Sequence, residues 1–124
     1  LSSTGPATRG QFLVLAINAP ANAGGFYQLA ISLTTNVGVP AVGGVHIALD
    51  PDPFLFLSFP SPNPQLFPDF IGFLDPSGAS SFFNPRFLIP NYQSIRGLPL
   101  AVQGAVTAPS GAAFLTNGLT FSIQ

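Results

Sequence analysis

The chain has 124 residues, of which three are Arg, four are Asp and none is Lys or Glu, giving a formal net charge of −1. Dissolved domains usually carry about a quarter charged residues; this one carries 6%, with 47% hydrophobic residues and no Cys. The balance excludes a phosphate-binding basic stripe, and so a nucleic-acid partner. It also excludes disulfides and thiolate chemistry.

So weak a charge provides little repulsion between copies. The surface is therefore expected to be covered by copies of the chain itself, by glycan or by another partner. No N-x-[ST] sequon is present, while plentiful Ser and Thr leave O-linked glycan open. The absence of Met and the opening Leu1 raise the expectation of a removed signal segment and an extracellular or cell-surface protein.

Gly and Pro are abundant, at 13 and 14 residues, but 13 Phe argue against disorder. With hardly any helix-favouring charged residues, the chain reads as all-β. Residues 1–8 are expected to be a flexible or exchanged tail, ahead of one domain over 9–124. The first strand falls in 10–19. Phe12, Val14 and Ala16 line one face, and Leu13, Leu15 and Ile17 the other. Two apolar faces are unusual in an antiparallel strand; either a loop covers the outer face, or the strand lies in a subunit interface.

Phe26 to Thr35 alternate with period two and predict a half-buried strand. Val45, Ile47 and Leu49 predict another, with His46 facing outward and Pro51 and Pro53 ending it. Phe54 to Phe59 read as a short apolar strand. The four prolines of residues 60–68 predict a polyproline-like connection between sheets. Phe70 to Leu74 form a strand that the Asp75-Pro76-Ser77-Gly78 turn ends. Ala79 to Ile89 read as strand broken at Asn84-Pro85. Leu98 to Thr107 form the next strand. The last, 113–124, points Leu119, Phe121 and Ile123 to one side.

No helical periodicity and no longer internal repeat appears. The longest apolar run, Phe12 to Ile17, is far short of the roughly 20 residues of a membrane-spanning helix. About seven to eight mostly antiparallel strands with regular turns predict a single β-sandwich, with a β-barrel as the alternative.

The titratable residues give little chemistry. A triad would need His46, which lies on a strand face in a chain without G-x-S-x-G. Asp50 and Asp52 could offer two carboxylates to calcium, which wants six to eight oxygens. The simpler reading is that both open turns. The acids Asp69 and Asp75 also sit beside Pro or in loops, a poor setting for paired-carboxylate hydrolysis. Arg86 and Arg96 fit internal ion pairs with the acids. No catalytic residue and no cofactor is expected.

Several pieces are similar to a β-sandwich module of many secreted bacterial proteins. They are Asn18-Ala19-Pro20, Asp75 to Gly78, Ile89-Pro90-Asn91, Gly97 to Gln103 and Thr116-Asn117. The likeness spans most of the chain. It implies the fold and export, and carries over no catalytic residue.

Two functional expectations follow. One is a non-catalytic structural subunit that assembles into an extracellular filament, tube or sheath, with strand exchange between subunits as the route. Its expected interface residues are Phe12, Leu13, Val14, Leu15, Ile17, Leu119, Phe121 and Ile123. The other is a module that binds polysaccharide or a cell-surface partner through loops 36–44, 60–69 and 108–112.

Overall fold

A computed structural model describes residues 1–35, 38–40, 46–80 and 84–124. The first residue of the strand expected at Val45, most of the 36–44 loop and the middle of the 79–89 segment lie outside the described residues. Among the described residues ten strands appear: β1 (Ser2–Ser3), β2 (Phe12–Ala16), β3 (Phe26–Ser32), β4 (Val39–Pro40), β5 (His46–Ile47), β6 (Ile71–Phe73), β7 (Arg86–Leu88), β8 (Pro99–Thr107), β9 (Ala113–Leu115) and β10 (Leu119–Ser122). Every pairing is antiparallel. A small sheet has the order β1-β2-β7. A large sheet runs β10-β8-β3-β6 with β9 also on β8, and β4-β5 form a hairpin. The protein is an all-β sandwich, and no closed barrel forms among the described residues.

The period-two pattern decides what faces inward. Leu13, Leu15 and Ile17 meet Tyr27, Leu29, Ile31, Leu100, Val102 and Val106 between the sheets. Each large side chain withdrawn from water contributes about 1.5–3 kcal/mol. Phe67 stacks on Phe87 with centroids 4.9 Å apart, and Phe70 lies 5.0 Å from Phe67. Glycine appears where a neighbour's side chain crosses the backbone. A Cβ on Gly72 would meet Tyr27 Oη at 2.9 Å, and one on Gly104 would meet Gln28 O at 2.8 Å.

Two segments bridge the sheets. On one side, Arg86 N donates to Pro68 O and Leu88 N to Leu66 O, while Leu29 N donates to Phe70 O. Residues 66–70 thus cross from the small sheet to the large one. On the other side lie residues 1–9, and here the expectation of a loose tail is corrected. Ser2 and Ser3 pair with Ala16 and Leu15. Ala7 is buried, and its carbonyl accepts from Gln124 N. Short polar residues carry no periodic signal, so this pairing was invisible in sequence.

The apolar run 54–59 is also not a strand. Residues Pro53–Ser58 form a short helix, α1, with Asp52 as its N-cap and Pro at its first position. Pro53 ends the preceding extended segment and suits a helix start, since its missing N–H is not needed there. Helix α1 covers the outer side of β3. As a result Gln28, Ala30 and Ser32 are buried although they face away from the core. No helix of the described residues is long and apolar enough to cross a membrane.

Candidate self-association surface

The titratable groups are dispersed and engaged locally. His46 is exposed on β5. Asp52 Oδ1 accepts from Leu55 N at 3.0 Å and Oδ2 from Leu33 N at 2.7 Å. Asp50 Oδ2 accepts from the Thr34 hydroxyl. The two calcium candidates therefore act as a helix cap and a loop brace. Asp75 Oδ1 accepts from Ser77 N, Ser77 Oγ and Ala79 N, holding its turn. Among the described residues no three His, Cys, Asp or Glu gather into a metal-sized group.

Arg86 lies 3.9 Å from Asp69, an exposed pair worth little alone. Its guanidinium also sits 5.0 Å from the Phe12 ring centroid. Arg9 donates to Gln93 Oε1 at 2.7 Å. Tyr27 donates its hydroxyl to Asp69 O at 2.8 Å. Burial, and secondarily the Asp69 charge, push its pKa up to about 12. That group is locked in the core and is not a base.

A cleft of about 260 Å³ opens beside β8 and β10, lined by Thr35, Ala48, Leu49, Gln103, Leu119 and Thr120 among others. It contains no titratable group. Gln103 is already committed, accepting from Ala48 N and donating to Thr116 O. The cleft has shape without chemistry.

The expected interface residues fall in three places. Leu13, Leu15, Ile17 and Ile123 are core residues. Val14 is half-buried, and Leu119 and Phe121 are half-buried against that core. Only Phe12 is exposed, at 42%, and Arg86 lies over it. The two-sided strand β2 is thus mostly used within its own chain.

Exposed apolar side chains also occur at Tyr92 and Phe114, and three more, Phe73, Ile71 and Leu115, share the outer face of the large sheet. Register places Phe73, Phe26, Thr107 and Ala113 in one row across β6, β3, β8 and β9. Ile71, Gln28, Ala105 and Leu115 form the next row, with Gln28 and Ala105 buried in its middle. At about 4.8 Å between strands, each row spans roughly 15 Å. Phe73 is 74% exposed and meets Phe26 edge-on at 5.5 Å. Ile71 and Leu115 are exposed too, and α1 adds Phe56 at 66% and Leu57. No residue of either row is charged. Sequence reasoning found the strands but not this face, because Phe73 and Ile71 alternate with a glycine rather than a polar residue.

The sheet edges differ in how they are closed. On the β6 side of β3, amides alternate toward the edge. Leu29 N donates to Phe70 O, Ile31 N to Ser58 Oγ at 3.0 Å, and Leu33 N to Asp52 Oδ2. Side chains from α1 and its cap thus continue a ladder where β6 stops. The outer edge of β7 is taken by residues 66–68. Along β8, the partner register shifts by one between Leu115↔Ala105 and Leu119↔Val102. The extra residue makes a bulge near Asn117, whose side chain exchanges two hydrogen bonds with Leu1. Among the described residues, none of these closures reaches the outer side of β6.

Comparison with family models, with curated proteins and with solved structures finds no match.

Proposed function

We propose that this chain is a non-catalytic structural subunit that associates with copies of itself, in an extracellular filament, tube or sheath, through the outer face of its large sheet. The observation that carries the reading is the uncharged row that ends on the exposed Phe73, on a sheet flank that the described residues leave uncovered. Exposed apolar patches rimmed by polar residues mark interaction sites. A chain with a net charge of −1 offers little repulsion against a second copy. The dispersed titratable groups supply no reacting pair.

Exchange of residues 1–8 is a less supported route, because that segment is already paired within its own sandwich. The test is substitution on the face. Phe73→Lys and Leu115→Lys replace exposed side chains and should leave the circular dichroism and melting temperature nearly unchanged. Particles in negative-stain images of the unmodified protein should be lost in both variants. Identical assemblies from all three proteins would reject this face. A monomer retained on a polysaccharide column would favour a binding module instead.

A further inference from the structure

We infer that β6 is the joining edge, and that two copies pair β6 to β6 about a two-fold axis through Gly72, making the two large sheets continuous. This rests on the self-association reading and adds a second contact to it: the β6 edge joins subunits in closed pairs, and the outer face joins the pairs.

The argument begins with hydrogen-bond alternation. Antiparallel partners alternate between hydrogen-bonded and non-hydrogen-bonded pairs. Leu29 N donates to Phe70 O, and Leu74 N donates to Gly25 O. The bonded pairs between β3 and β6 are therefore 29 with 70, 27 with 72 and 25 with 74, on the register that pairs Tyr27 with Gly72. Ile71 and Phe73 occupy the alternate positions. Their N–H and C=O groups point away from β3, toward the open edge.

An edge strand normally carries a charge, a proline or a bulge that blocks pairing. Ile71-Gly72-Phe73 has none, while the β7 edge and the β9–β10 edge carry the closures described above. Identical antiparallel strands satisfy a two-fold operation, in which residue i faces j and j faces i. With Gly72 facing Gly72, Ile71 faces Phe73 of the second copy, twice. Each of these is a hydrogen-bonded pair, so four backbone bonds form. The exposed Ile71 and Phe73 side chains become cross-strand neighbours on the outer face. The central pair is glycine on both sides, so no side chain obstructs the axis. The same register brings Asp69 of one copy level with Asp75 of the other at each end, a repulsion that Arg86 beside Asp69 offsets.

Sedimentation equilibrium of the unmodified 124-residue protein and three variants tests this. Ile71→Pro removes an edge-facing donor and no donor to β3. Ile71→Lys with Phe73→Lys places like charges opposite each other. Ile71→Lys with Phe73→Glu places opposite charges in both pairs, but only in the antiparallel two-fold register. Circular dichroism establishes folding of each. The inference expects association weakened about tenfold or more in the proline and double-lysine proteins. It expects substantial recovery in the lysine–glutamate protein. Unmodified protein that associates while all variants associate equally, or while both charged pairs weaken equally, overturns the β6 pairing and leaves self-association standing. Unmodified protein that stays monomeric overturns both.

Discussion

Single residues carry much of the sandwich. Ser58 shows how. Its hydroxyl accepts from Ile31 N in a buried setting, and its own proton has Leu55 O at 3.1 Å. Ser58→Ala should destabilise the fold by about 1–3 kcal/mol, because a buried N–H loses its partner. Asp52→Ala removes both the cap of α1 and the partner of Leu33 N, with an expected loss of about 1–2 kcal/mol. Denaturant titration checks both. Gly104→Val should cost at least as much, since the strand has no space beside Leu29 and Gln28. Tyr27 gives a pH signature. Its folded pKa is raised, so its contribution is complete below about pH 10, the unfolded value. That contribution is lost as pH rises toward about 12. Melting curves should show this alkaline loss in the native protein and not in Tyr27→Phe. The variant should be less stable at pH 7 for want of the bond to Asp69 O.

Elements were legible where periodicity is strong and illegible where contacts are made by backbone. Strand β3 alternates cleanly and β8 loosely, and both appear within the segments where alternation puts them. Half-burial of β3 did not hold, because Gln28 and Ser32 look like solvent-facing residues in sequence. They are buried under α1, with Gln28 Nε2 donating to Pro60 O and Ser32 Oγ to Thr34 O. The apolar run within α1 is six residues or fewer, too short for period to separate helix from strand. The deciding signal was local, Asp52 followed by Pro53, a cap with proline at the first helical position. The N-terminal strap is the opposite case: nothing in LSSTGPAT marks it as a sandwich closure. Deleting residues 1–8 should lower stability by about 2–4 kcal/mol, since edge hydrogen bonds and the buried Ala7 are lost with it. Thermal unfolding of the shortened protein measures this. An unchanged midpoint would show that the strap is dispensable.

At the scale of the whole molecule, composition pointed to self-association, while the residues first expected to mediate it turned inward. Strand β2 is apolar on both sides, yet Leu13, Leu15 and Ile17 fill the core and Phe12 lies under Arg86. Among the described residues, the flank around β6 carries the most exposed large apolar side chain, Phe73, a place no alternation of polar and apolar residues announces. Its interface would be apolar with acids only at the ends, Asp69 and Asp75. Association should therefore strengthen with added salt, which screens those acids, and more with sulfate than with chloride. Light scattering at rising salt reads the sign directly.

The most direct measurement is sedimentation equilibrium of the unmodified protein over a wide concentration range at neutral pH. The account predicts dimers or larger species in exchange with the 12.8 kDa protomer. A single 12.8 kDa species at every concentration, with Phe73 open to solvent, would contradict it.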